Sequence, residues 1–301
     1  MGLAILDPII TLHSALDRSV KQERVFTRTD IRWDDAPIVW VVCLGYGMSV
    51  EGTRMFDLIP REGVAYVYTL PDALVNPDPQ QTLQIHRLCR ERILADMRAL
   101  PSNVRVSVFA ISAGNALGFY VANRYPAERF ISVVTGAGLG SELFWSLACI
   151  PIARKARRLG YSTGEAYDTS LRGNLPFDNA EHLPRRTHVY LGLSDAQIPV
   201  WFGIKMFRQI KKYNPEAKLS LFMLGHVGVM YMVGRFLREG IEPTVYGSGG
   251  LSQRVKRALA YSALRVPFRD FPMLIGGLVL GFDRLNRLLR TFDRSPASTN
   301  I

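Results

Sequence analysis

Six short segments of this chain are nearly continuous runs of branched and apolar side chains, and that repetition is the strongest constraint on its fold. They fall at residues 38–44 (IVWVVCL), 64–70 (VAYVYTL), 104–110 (VRVSVFA), 129–136 (RFISVVTG), 187–193 (THVYLGL) and 219–224 (LSLFML). An amphipathic strand with one wet face alternates apolar and polar residues; a strand buried on both faces does not. Between these runs the period changes. In 79–100, Leu83, His86, Leu88, Ile93, Leu94 and Met97 recur near a 3.6-residue spacing, and 113–123 and 200–213 also read as helices. Strands alternating with helices imply an α/β fold, a mostly parallel sheet with helices on both faces.

Two regions break the alternation. Residues 141–184 separate consecutive strands, where a handful of residues would suffice. They hold an apolar helix start, a basic run at 154–158 and a Gly/Asn/Pro-rich loop, and read as an insertion or cap over the sheet edge. After Gly240 the strand–helix rhythm stops. The expected organisation is a domain at 1–240, with the insertion at 141–184, and a basic amphipathic helical extension at 241–301.

Composition excludes several classes. Apolar residues make up 48% and charged residues 21%, an ordinary globular mixture. The three cysteines, Cys43, Cys89 and Cys149, show no C-x-x-C spacing, so neither a disulfide framework nor a zinc site is expected. No H-E-x-x-H or clustered acidic loop is present, and no metal or other cofactor is expected. The string Gly136-Ala137-Gly138-Leu139-Gly140 follows a strand, but no acidic residue closes a further strand about 20 residues on, as a dinucleotide site requires. It reads as a flexible lead-in to the insertion. The N-terminal residues lack a basic segment ahead of their apolar ones, and no apolar run approaches the ~20 residues of a spanning helix. The expected location is cytoplasmic.

In a parallel sheet, chemistry gathers at the carboxyl ends of the strands. Gly45-Tyr46-Gly47 follows one strand, Ser112 another, Ser194-Asp195 a third and Gly225-His226 a fourth. A serine hydroxyl needs a base to take its proton, and an imidazole that does so needs a carboxylate to hold one tautomer. Ser112, His226 and Asp195 supply those three types from separate strand ends. Gly225 and Gly228 suit a tight loop around the histidine. His13, His86, His182 and His188 lie away from these positions and read as structural or surface residues.

The stretch Ala110-Ile111-Ser112-Ala113-Gly114, with the order Ser, Asp, His, resembles the α/β-hydrolase family of esterase- and lipase-like serine hydrolases. The resemblance covers roughly residues 25–238 and is one of pattern and order. It departs in its first elbow position, where alanine replaces glycine. It implies a strained strand-to-helix turn presenting Ser112, and an oxyanion hole from the backbone amides of Ala113 and Tyr46. Glu142, after the 129–136 strand, is the rival acid, because some members take the carboxylate from that neighbouring position. A serine nucleophile implies acyl chemistry on a small-molecule ester, here with an apolar or lipid-like acyl group. Phe144, Trp145 and Leu147 of the insertion are the expected substrate-binding residues. The same scaffold also serves acyltransferases, and a non-catalytic lipid- or membrane-binding protein is the reading from a different class.

The formal charge is +11, and residues 251–294 hold nine bases against three acids. There Leu285, Leu288, Leu289 and Phe292 share a helical face with arginines around it, a pattern suited to docking on the domain or to peripheral membrane contact. The interleaving of bases with Leu and Phe, without a recognition motif, argues against nucleic acid.

Overall fold

A computed structural model describes residues 25–146 and 149–239. The expected extension at 241–301, the proposed membrane contact at 251–294 and Leu147 lie outside the described residues.

The chain runs β1 (Thr27–Arg32), β2 (Ile38–Cys43), α1 (Val50–Met55), β3 (Val64–Thr69), α2 (Pro79–Arg98), β4 (Arg105–Ile111) and α3 (Asn115–Arg124). It continues through β5 (Arg129–Val133), α4 (Gly140–Trp145), α5 (Ile150–Arg158), α6 (Gly164–Ser170), β6 (Arg186–Gly192), α7 (Val200–Tyr213), β7 (Lys218–Phe222) and α8 (His226–Glu239). The strands form one sheet in the order β1-β3-β2-β4-β5-β6-β7. All neighbours are parallel except β1, which pairs antiparallel with β3 from Thr27 opposite Thr69 to Arg32 opposite Val64.

Every residue of β2 is buried, as its unbroken apolar run requires. Its alternate side chains enter two cores. Val41 and Cys43 join the core under α2, α3 and α7, with Met97, Phe119, Phe130 and Ile210. Trp40 and Val42 join the core under α8, with Phe222, Val233 and Phe236. Burial pushes the Cys43 thiol up to about 12, as expected of a cysteine serving as a small hydrophobe.

Two elements differ from the expectation. The β1 strand (TRTDIR) carries mostly exposed polar side chains along the sheet edge, so no apolar run announces it. Residues 226–239 form a helix where a loop was expected around His226. Within that helix Gly228, which suggested a loop, serves close approach instead, as does Gly234. A Cβ on Gly228 would stand 2.9 Å from the Leu224 Cβ, and one on Gly234 would overlap the Phe56 carbonyl.

Among the described residues, the 141–184 region folds as three short helices and a 3-10 turn at Pro176–Asn179. The basic run of α5 points to solvent while Ala153 and Ala156 face inward, packing with Leu139, Leu143, Tyr167 and Val75. The glycine string at 136–140 is no flexible lead-in, because all five residues are buried. A methyl on Gly136 would overlap the Glu142 carboxyl, one on Gly138 the Asp168 carboxylate, and one on Gly140 would press on the Gly164 carbonyl 2.6 Å away. Asp168 of α6 then fastens this turn. Its Oδ1 accepts from the amides of Leu139 (2.9 Å) and Gly140 (2.6 Å), and its Oδ2 from the Ser141 amide (3.0 Å) and hydroxyl (2.7 Å).

A second tie is Arg90 of α2, only 2% exposed. Its guanidinium donates to the Asn174 side chain (2.8 Å), to the Asn174 carbonyl (2.6 Å) and to the Ala116 carbonyl (3.1 Å), and lies 4.1 Å from the Tyr120 ring centre. Burial pulls it down to about 10, so it stays charged at neutral pH. Arg90→Met keeps the bulk but strands three acceptors. It is expected to lower stability by about 3 kcal/mol, read as a lower urea midpoint at constant slope.

Candidate active site

The nucleophile position is built by β4, the turn Ser112–Gly114 and α3. Ser112 has φ +51°, a left-handed conformation that an L residue adopts at a cost on the order of 1 kcal/mol. Small neighbours make that turn possible. A Cβ on Gly114 would collide with the Cys43 and Leu44 carbonyls at the end of β2, and one on Gly118 with the Ala110 side chain. Alanine in place of the usual first glycine of the elbow therefore packs against a glycine one helical turn into α3. Asn115 fixes the base of the turn, donating to the Ser112 carbonyl (2.9 Å) and the Val133 carbonyl (3.0 Å) while accepting from the Ser132 hydroxyl (2.7 Å).

The three expected side chains meet. The Ser112 Oγ lies 3.0 Å from His226 Nε2, and His226 Nδ1 lies 2.8 Å from Asp195 Oδ2. His226 and Asp195 are each 3% exposed, which shields their contact from competing water. Asp195 follows β6 and uses its two oxygens differently. Oδ1 accepts from the amides of Gln197 and Ile198, each at 2.8 Å, and shapes the turn. Oδ2 faces the imidazole. An ionised carboxylate only accepts, so the facing Nδ1 carries the ring proton and Nε2 is left to accept from the Ser112 hydroxyl. Asp195 thus shapes its own turn and partners His226 on separate oxygens.

Ser112 opens on a cavity of about 60 Å³. Its walls include Tyr46, Ala113, Val75, Leu139, Leu143 and Ile198, with Glu142, Ser146, Cys149 and Gln197 as the more polar members. Tyr46 and Ala113, the expected oxyanion-hole residues, therefore both border the serine. The backbone passes close there, since a Cβ on Gly45 would stand 3.1 Å from the Ser112 Cβ.

Two expectations need correcting. Phe144 and Trp145 are not among the cavity's walls. Phe144 packs with the insertion core and carries the Arg157 guanidinium 5.1 Å from its ring, while Trp145 sits edge-on to Trp201 at 5.3 Å. Adjacency in sequence does not set which way a side chain on a short helix points. Glu142, the rival acid, contributes to the cavity wall, but the carboxylate that pairs with His226 is that of Asp195, and the Glu142 Oε1 lies against Gly136. Sequence reasoning passed over Val75, Leu139, Gln197 and Ile198. The last two had a signal, standing directly after Asp195 at a strand end.

A mostly parallel seven-stranded sheet with helices on both faces, a serine on a left-handed turn after β4, an acid after β6 and a histidine after β7 define the α/β-hydrolase fold. No family model and no curated protein matches the sequence. Among solved structures the chain is similar to 2,6-dihydroxy-pseudo-oxynicotine hydrolase, with a TM-score of 0.51 at 13% identity over 76% of this chain and 71% of that one. An esterase of Pyrococcus furiosus (TM-score 0.46, 11% identity, 71% of this chain and 91% of that one) also aligns. So does acyl-protein thioesterase 2 of Zea mays (TM-score 0.44, 12% identity, 71% and 98%). At such identities the likeness is one of fold, and the chemistry has to come from the site itself.

Proposed function

We propose that this protein is a serine hydrolase that cleaves a carboxylic ester through an acyl-enzyme. The single observation that carries the reading is the continuous hydrogen-bonded line from Ser112 through His226 to Asp195, opening on a cavity. In this mechanism His226 Nε2 removes the Ser112 proton as Oγ attacks the ester carbonyl. The carbonyl oxygen becomes an oxyanion beside the amides of Ala113 and Tyr46, donors whose positions cost no rearrangement when charge develops. The imidazolium, held against Asp195, then gives its proton to the departing alkoxide. Water enters, loses a proton to His226, and attacks the acyl-Ser112 ester to release the acid.

A protein that only bound lipid would have no need to place these groups in contact, or to hold a serine in a left-handed turn. A fluorophosphonate tests the reading directly, since an activated serine displaces fluoride and keeps the phosphonyl group. Peptide mass mapping is expected to find the adduct on Ser112, and folded protein that takes up no label would overturn the proposal.

A further inference from the structure

The peptide that joins Ser112 to Ala113 carries two groups with different tasks. Its N–H is the Ala113 amide, an expected oxyanion donor, and its C=O is the Ser112 carbonyl. A peptide unit is planar, and in the trans form its N–H and C=O point in opposite directions. No peptide bond among the described residues is cis, so whatever holds the Ser112 carbonyl also aims the Ala113 amide. That carbonyl accepts the backbone amide of Asn115 and, at 2.9 Å, its side-chain amide. Asn115 is only 2% exposed. Its carboxamide has one workable facing. The nitrogen meets two carbonyls, of Ser112 and of Val133 (3.0 Å), and the oxygen accepts from the Ser132 hydroxyl (2.7 Å). The anchor at the end of β5 is itself held, because the amide of the Val133–Val134 peptide donates to the Tyr190 carbonyl of β6 at 2.8 Å.

Resting on the hydrolase reading above, we propose that Asn115 is a positioning residue for the oxyanion hole: by holding the Ser112 carbonyl it directs the Ala113 N–H at the oxygen of the tetrahedral intermediate. Ala113 borders the cavity on which Ser112 opens, and the amide points away from the bond that Asn115 makes to the carbonyl. The first amides of a helix have no acceptor within it, which suits this one to an external oxygen. Donation into the Ser112 carbonyl also polarises the peptide and strengthens its N–H as a donor. Without the side chain, the carbonyl keeps its bond to the Asn115 backbone, but the left-handed serine loses its tie to β5 and the peptide is free to rock. Oxyanion stabilisation depends on donors that need no rearrangement as charge develops. A rocking donor therefore costs transition-state binding and leaves ground-state binding of the ester alone.

Asn115→Leu replaces the carboxamide with an apolar group of similar shape. It is expected to lower kcat for p-nitrophenyl acetate about thirtyfold, with KM within about threefold of wild type. That is less than the roughly 10²- to 10³-fold cost of losing an oxyanion donor outright. The distinguishing readout is Ki for a short alkyl trifluoromethyl ketone. Ser112 Oγ adds to its carbonyl carbon, the Ser112 proton passes to His226, and the ketone oxygen is left as an oxyanion. Ki is expected to rise in proportion to the loss in kcat/KM, to within about threefold. Arg90→Met, which weakens the fold without touching the Ser112–Ala113 peptide, is the control, expected to keep kcat, KM and Ki within about threefold of wild type. Should the leucine variant fail to fold by circular dichroism, Asn115→Ala carries the same expectation. A folded variant with wild-type kcat/KM, one with lowered kcat/KM and unchanged Ki, or an equal rise of Ki in Arg90→Met would overturn the inference, while fluorophosphonate labelling of wild type left the hydrolase intact. Wild-type protein that neither labels nor turns over any ester would sink the hydrolase reading, and this inference with it.

Discussion

Ser112→Ala is expected to abolish fluorophosphonate labelling and to lower kcat/KM for p-nitrophenyl acetate on the order of 10³-fold or more, with the fold retained. The magnitude follows from the step the hydroxyl performs. Without Oγ there is no covalent intermediate, and His226 and the backbone amides can only assist direct attack by water. Alanine fits the site sterically, because the Ser112 Cβ is already accommodated 3.1 Å from where a Cβ on Gly45 would stand. Urea denaturation and circular dichroism should therefore match wild type to within about 1 kcal/mol. A variant that keeps wild-type turnover would place the chemistry elsewhere in the molecule.

Asp195→Asn is expected to cost nearly as much rate, about 10³ to 10⁴ in kcat, for a different reason. The asparagine carbonyl can still accept from the Gln197 and Ile198 amides, as Oδ1 does now, so the turn survives. The amide nitrogen then faces His226 Nδ1 and donates to it. The ring proton is forced to Nε2, the atom that must accept from Ser112 at 3.0 Å. The base is thereby blocked by its own proton. Asp195→Ala provides the contrast, losing turn and tautomer together, and should lose stability as well as rate. Equal stability in the two variants would contradict the division of labour between the two oxygens.

How much of this could be read from the residues alone depended on whether a local pattern had one structural meaning. The strands from β2 to β7 were legible because burial on both faces demands continuous apolar runs, and the elbow because small residues around a serine have few other uses. The β1 strand was not legible, because one side of an edge strand faces water and its polar residues carry no period. The α8 helix was misread because Gly228 was taken as a turn former when it serves close approach to Leu224. The acids posed a harder problem. Asp195 and Glu142 follow adjacent strands, β6 and β5, and only the folded geometry shows which of them turns toward the imidazole. Phe144 and Trp145 failed as pocket residues on the same ground: a short helix offers several directions, and the residue types do not choose among them.

The grip of Asp168 on residues 139–141 has a bearing on redesign. Four donors converge on that one carboxylate, so Leu139 and Leu143 belong to a braced wall that resists displacement. Val75 and Ile198 border the same space from segments without that brace, and trimming them is the route by which a laboratory could broaden the enzyme's appetite for bulkier acids.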